Sequence, residues 1–350
     1  MAIETLAQLE GVVGKKPPAL DLKVLDHIDA TSQTWLSHAR AMMACFGAGV
    51  GGDGGPHIAL AGGEAGFAAG SDTALTIPLA SFDETEGLVP GAPFGSLWLV
   101  PAMRETLRVN GVIDRVDAGV EAGVQAGSEV GTVTIRVQEC YLHCAKAFIR
   151  SDFWAAAAQG QGGGDDRAFA ADARFMALGT ISAQGEADVS PKGDPVGKLV
   201  QEEGECLLFP DRPGNRRTDS FRNILTQPRV AAALIAPGRA EVMFVRGQAR
   251  LSAEEDQRAR FAVEGKAPKL VVALDAPETE RRASPALERA ELWSHNPPPP
   301  PADLEPAKIF AAHMRLSKQK SLSARLTKAA VSVPGLVQRG LDKDYDTNLY

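Results

Sequence analysis

The stretch LWLVPAMRETLRVNG (97–111) returns later in the chain as ALIAPGRAEVMFVRG (233–247), with Pro101 meeting Pro237, Glu105 meeting Glu241 and Gly111 meeting Gly247. A second block, CYLHCAKAFIRSDFW (140–154), aligns with the block ending at Trp293. The alternative is chance similarity between two β-rich segments. Matched Pro, Glu, Gly and Trp in the same order favour an internal duplication instead.

Working outward from these blocks, the same order of elements is expected twice. In the first half, strands are expected at 57–61, 74–77, 96–100, 105–112 and 130–137. In the second half they are expected at 175–181, 187–190, 206–209, 230–235, 241–245 and 269–274. Gly and Pro punctuate both sets, as in a small barrel. Residues 22–46 read as helical packing through Val24, Leu25, Ile28, Trp35, Leu36, Met42 and Met43, with a second helix starting at Asp29 or Thr31. Residues 1–20 read as a loose arm and 140–154 as a short helix. The Gly-rich run AAAAQGQGGGDD (155–166) is the expected linker. Prolines 297–301 form a stiff spacer, followed by a tail of one or two amphipathic helices with a basic face.

Composition narrows the function. The 350 residues carry a formal net charge of -7 and 44% hydrophobic residues, as for an ordinary globular protein of about two domains. An acidic total argues against nucleic acid as a general partner. Four cysteines (Cys45, Cys140, Cys144, Cys206) are too sparse for a disulfide scaffold and read as reduced thiols of a cytoplasmic protein. No signal peptide or membrane-spanning window is evident. Cys140, His143 and Cys144 lack a second cluster that would complete a zinc site. No Ser-His-Asp arrangement, P-loop or Rossmann fingerprint is present, and the glycines at 47–52 form an isolated pattern.

The chemistry concentrates in PDRPGNRRTDSFRNILTQPRV (210–230). Arg212, Arg216, Arg217 and Arg222 lie on a tight turn entering a helix. Guanidinium forks and outward backbone N–H groups at a helix start suit a phosphate dianion. A solvated basic helix start is the plain alternative. The corresponding stretch of the first half, PLASFDETEGLVPGAPFG (78–95), carries Asp83, Glu84 and Glu86, which would repel a phosphate. Lys192 and Asp194 in SPKGDP sit where Gly193 lets a ligand approach the backbone; a local Lys–Asp pair is the alternative. His143, Lys146 and Arg150 are spaced to share one face of a helix, either exposed or turned to a ligand.

VSPKGDPVGKL (189–199), FPDRPGNRRTDSFRNILTQPRV (209–230), APGRAEVMFVRGQARL (236–251) and FAVEGKAPKLVV (261–272) resemble the pyridoxamine-5′-phosphate-oxidase-like flavoproteins, as does CYLHCAKAFIRSDFW. The resemblance is clearest over 175–293. It implies split β-barrels that bind FMN between two barrels, and hence two halves paired as a pseudo-dimer within one chain.

The expected fold is mainly β with peripheral helices (α+β): two FMN-binding-type split β-barrels plus a helical C-terminal tail. The expected domains are an N-terminal barrel with a degenerate phosphate site (1–154), the linker (155–166), a C-terminal barrel with the phosphate motif (167–296) and the Pro-rich spacer with the tail (297–350). The expected cofactor is FMN, held by Lys192, Asp194, Asn215, Arg216, Arg217, Ser220 and Arg222 with His143, Lys146 and Arg150 from the other half. His143 and Lys146 are the catalytic candidates, a cation near the flavin stabilising the charge that forms on reduction. The expected activity is an FMN-dependent oxidoreductase acting on a small molecule, the protein being a monomeric pseudo-dimer or a homodimer. A non-catalytic flavin- or haem-binding protein is the competing class, and a scaffold without cofactor the third.

Overall fold

The computed structural model describes residues 1–47, 55–119, 131–155, 164–294, 299–319, 328 and 335–350. The glycines at 48–52, most of the 155–166 linker, prolines 297 and 298 and most of the tail between 320 and 334 lie outside the described residues.

A short strand β1 (Ala2–Ile3) opens the chain. The first half then builds one antiparallel sheet from β2 (Ala41–Gly47), β3 (Pro56–Gly62), β4 (Ala69–Gly70), β5 (Ala74–Pro78), β6 (Pro93–Leu99), β7 (Thr106–Asp117) and β8 (Thr132–His143). The second half builds another from β9 (Phe175–Ile181), β10 (Ala187–Gly193), β11 (Gln201–Glu203), β12 (Cys206–Pro210), β13 (Arg229–Ile235), β14 (Glu241–Ser252) and β15 (Val271–Ala283). The sheet orders are β3-β2-β6-β7-β8-β5-β4 and β10-β9-β13-β14-β15-β12-β11, so every strand of the second occupies the place of its counterpart in the first. The aligned glycines coincide as well. Register shifts fall between Asn110 and Gly111 in the β7–β8 ladder and between Arg246 and Gln248, around Gly247, in the β14–β15 ladder. A bulge re-aims the strand beyond it.

The sheets meet face to face through a shared apolar cluster. Ala41, Met43 and Cys45 of β2 pack in it with Phe175, Ala177 and Ile181 of β9, while Met42, Ala44 and Phe46 turn into the first half's own core. Burial on both faces explains why AMMACFG was misread. It has no polar alternation, so periodicity cannot separate it from a helix. Residues 22–46 therefore hold one α-helix, Ala30–His38, whose N-cap is Asp29, followed by the central strand β2.

Both termini are structured. Ala2–Ile3 pairs with β14, and Thr5 and Gln8 form a capping box on the helix Leu6–Val13, which buries Leu9 and Val13. The expected loose arm is thus an ordered edge of the second sheet's core. The helix Pro306–Leu316 sets Ile309 into the core of the first half. Its buried His313 takes the Leu142 N–H on Nδ1, with Nε2 facing Asp29 and Ser32.

Candidate functional site

Where the second half's β10 and β12 end, they face the end of β8 across the sheet interface. The helix Lys146–Arg150 closes this edge, its Ala147 carbonyl lying against Gly193. A Cβ on Gly193 would collide with that oxygen, so glycine sets the approach of the two halves. Arg150 fixes the same contact through Nε, which donates to the Gly193 carbonyl at 2.9 Å.

A cavity of about 440 Å³ opens here, lined from both halves. That lies within the roughly 300–1,000 Å³ usual for small-molecule sites. His143, Lys146 and Arg150 line it from the first half, and Lys192, Asp194, Asn215, Arg216, Arg217 and Ser220 from the second. Arg222, expected among them, is elsewhere. One helical step past Phe221 its side chain has turned away from the cavity, and its guanidinium donates to Glu10 at 2.9 Å and to Thr218. The lining includes nine Lys/Arg side chains against three Asp, so the cavity favours an anion.

The turn is built for one. Arg216 and Thr218 both adopt left-handed φ, 59° and 54°, a conformation that costs non-glycine residues and clusters at functional sites. The Asn215 carboxamide oxygen accepts the Arg217 N–H at 3.0 Å, locking the turn. Thr218 makes no side-chain cap on the helix Asp219–Thr226, so its first N–H groups face the cavity without a capping side chain.

Arg217 carries the clearest signal. Its guanidinium lies 4.3 Å from the centre of the Tyr141 ring, Nε donates to Asp219 and Nη2 stands 3.9 Å from Glu139. Its Nη1 is buried and makes no hydrogen bond among the described residues. A buried donor without a partner is uncommon in folded proteins and points to a missing acceptor. Arg108 shows the same on its Nε. Only 1% exposed, Arg108 crosses from the first half to bond Asp188 and the Val189 carbonyl, while donating to Tyr141 Oη at 2.7 Å.

Sequence reading missed Arg108, although the signal was available. The repeat pairs Arg108 with Phe244, and an arginine between Leu107 and Val109 in a buried strand demands an explanation. It also missed Lys266 and Lys269, which line the cavity from a separate loop.

Two expectations about the first-half cations need correction. His143 is the last residue of β8, not a helix residue, because the helix spans only Lys146–Arg150. Burial, then Arg108, Lys23 and Arg217, hold its imidazole well below the usual range, so it is neutral and not a cation. Its Nδ1 faces the Cys144 carbonyl at 3.4 Å. The cations of this edge are Lys146 and Arg150. Nearby Lys23 is buried, donates to the Leu142 carbonyl at 2.7 Å, and is pushed down to about 8 by burial. On the second half, Lys192 is not paired to Asp194. Its Nζ lies 4.3 Å from the centre of the Phe221 ring, whereas Asp194 takes Arg212 Nε at 2.7 Å. Burial pushes the Asp194 carboxyl up to about 6 even so.

The opposite edge of the molecule repeats this geometry with other chemistry. Gly62 stands against the Ala286 carbonyl, and Arg289 Nε donates to the Gly62 carbonyl at 3.1 Å. Here Asp83 accepts from the Ala286 N–H at 2.7 Å and from Ser284 Oγ, while Glu84 pairs with Arg282 and lies 3.6 Å from Arg246.

The family model for pyridoxamine 5′-phosphate oxidase matches residues 165–286, the half with the arginine turn and less than half of the chain. No curated protein matches. Among solved structures, HupZ of Group A Streptococcus is 15% identical, covering 32% of this chain and 86% of that one at a TM-score of 0.27. An F420 reductase is 18% identical over 35% of this chain and 98% of that one, at 0.26. HutZ, the heme storage protein from Vibrio cholerae, is 12% identical over 33% of this chain and 90% of that one, at 0.23. At such identities and TM-scores these likenesses carry nothing about activity. Residues 165–286 thus hold a pyridoxamine 5′-phosphate oxidase-like domain, within a mainly β chain of two antiparallel sheets.

Proposed function

We propose that this cavity binds one FMN and that the protein is an FMN-dependent oxidoreductase acting on a small molecule. The observation that carries the reading is the buried Nη1 of Arg217, without a partner among the described residues, beside an uncapped helix start in a cation-rich cavity. Asn215, Arg216, Arg217 and Ser220 hold the phosphate. Lys192, Asp194, Lys146 and Arg150 surround the remainder, with His143 as a neutral hydrogen-bonding group. When bound, FMN supplies hydride or single-electron transfer. Lys146 and Arg150 hold positive charge on that edge, favouring an anionic reduced state.

The reading includes the architecture. The chain is a duplicated split barrel, 1–154 and 167–296, paired as a pseudo-dimer with one complete site. The identical strand orders and the coincident shifts at Gly111 and Gly247 support it.

A second reading, haem binding, is favoured by one observation: the neutral imidazole of His143 lines the cavity and has the protonation state an iron ligand needs. Absorption spectra of the purified protein after addition of FMN or haemin separate the two. Flavin bands that remain with the protein through gel filtration support the first reading. A Soret band lost on His143→Ala, with no flavin retained, replaces it by the second.

A further inference from the structure

The last twelve-residue helix, Leu336–Thr347, has no buried residue of its own. What ties it to the cavity is polar. Asp344 pairs with Lys146 at 2.9 Å, and Tyr345 Oη donates to Glu105 at 3.0 Å while accepting the Ala145 N–H at 3.3 Å. Past the helix, the Leu349 carbonyl accepts from Arg150 Nη1 at 3.1 Å, and the Tyr350 ring lies 5.5 Å from the Arg212 guanidinium. Lys146, Arg150, Arg212 and Tyr350 all line the cavity. The tail thus presents a carboxylate and an aromatic ring to three of the cavity's cations. It rests on the helix Pro306–Leu316 with no fully buried residue, and its ties to the cavity are contacts that another molecule with the same groups can replace.

The opposite edge seats a carboxylate beside the equivalent short helix. There Ser284 and Ala286, which align with Ala145 and Ala147 on either side of Lys146, receive the carboxylate of Asp83. Asp83 is fixed: it follows buried Phe82, and its N–H is bonded to the Leu60 carbonyl at 2.9 Å. So each half seats a carboxylate beside its short helix, one carried by the residue after Phe82 and one delivered by a surface helix. Lys146 is 4% exposed with Asp344 seated, a buried cation that requires an anion beside it.

We infer that Lys146, Arg150 and Arg212 form a subsite for a small aromatic carboxylate, and that the C-terminal tail occupies it as a displaceable internal ligand. This deepens the proposed function by naming a substrate class; it rests on this cavity being the site of action and not on FMN being its cofactor. The incoming carboxylate takes Lys146 from Asp344 and Arg150 Nη1 from Leu349, and its ring takes the place of Tyr350 beside Arg212. Arg150 Nε stays on Gly193, so the edge keeps its shape.

Benzoate is the probe, titrated by calorimetry into the full chain and into the full-length double variant Asp344→Asn/Tyr345→Phe, which releases the tail without touching a core residue. Benzoate should bind the variant at least tenfold more tightly. Adding Lys146→Met, which keeps the volume and removes the charge, should abolish that gain while the thermal midpoint stays close to that of the double variant. In the unmodified chain, benzoate should speed tryptic cleavage after the exposed Lys343. Equal benzoate affinity with and without the tail contacts overturns the inference, as does a gain that survives Lys146→Met or a cleavage rate that ignores benzoate. FMN titrated into the same proteins keeps the two readings apart. Loss of flavin binding with the benzoate pattern intact removes only the cofactor.

Discussion

The two edges of the molecule are built on one backbone and carry opposite electrostatics. At each, a glycine lies against an alanine carbonyl and an arginine Nε ties the same glycine: Gly193, Ala147 and Arg150 on one edge, Gly62, Ala286 and Arg289 on the other. The first edge then adds Arg216, Arg217 and Arg108 and leaves buried donors on two of them without partners among the described residues. The second has Asp83 and Glu84 beside Arg282, and Phe244 where the first has Arg108. Arg282 Nε on the second edge is likewise buried and unpaired among the described residues, so the contrast lies in charge: cations crowd the first edge, and carboxylates meet the arginines of the second. The difference teaches that a site resides in the side chains a fold presents, while the fold itself is neutral between them.

The largest effect is expected at the point where the edges differ most. Arg108→Ala leaves Asp188 buried without its partner, which typically costs about 3–5 kcal/mol. Urea denaturation should show that loss; a change under about 1 kcal/mol would mean that the pair behaves as an exposed one and does not tie the halves. Asp83→Ala removes two acceptors from the start of the helix Pro285–Ala290 and should cost about 1–3 kcal/mol. It should create no flavin site there, because the arginine turn is absent from that edge. A second FMN equivalent in this variant would show that Asp83 alone keeps the edge closed.

The open edge should also be pH-sensitive. Asp194 sits near 6, above its ordinary value, so the stability it contributes is full below about pH 4 and is lost as pH rises through about 6. Its ionisation adds a negative charge to the cavity lining, so sulfate, whose own charge is constant here, should bind more weakly as pH rises across that range. Asp194→Asn should flatten the profile, and a step that persists in the variant would assign the titration to another group. The smallest effect is expected at Arg222, which pairs with half-buried Glu10 off the cavity. Arg222→Ala should cost about 0–1 kcal/mol and leave flavin affinity unchanged.

How much was legible follows from which signals are local. The arginine turn and SPKGDP were visible because Pro, Gly and clustered Arg mark a loop with chemistry, and the structure sets both on one cavity. That similar strands recur along the two halves was legible in the matched Pro, Glu and Gly, which mark equivalent positions without any need to read periodicity. β2 was not legible, because a strand buried on both faces has no alternating pattern. His143 was placed on a helix because three- and four-residue spacings also occur where a strand runs into a turn. Arg222 was included with the arginine cluster of the turn, and Arg108 was omitted, because contacts across the sheet interface leave no trace in neighbouring sequence.

The central claim is a single composite anion site, and its direct measurement is the stoichiometry of FMN binding followed by flavin fluorescence quenching. The account predicts one equivalent per chain. It also predicts an affinity at least about a hundredfold lower in Arg216→Ala/Arg217→Ala, since two charged hydrogen bonds of about 1.5–3 kcal/mol each are lost. Two equivalents per chain, or an undiminished affinity in the double variant, would contradict it.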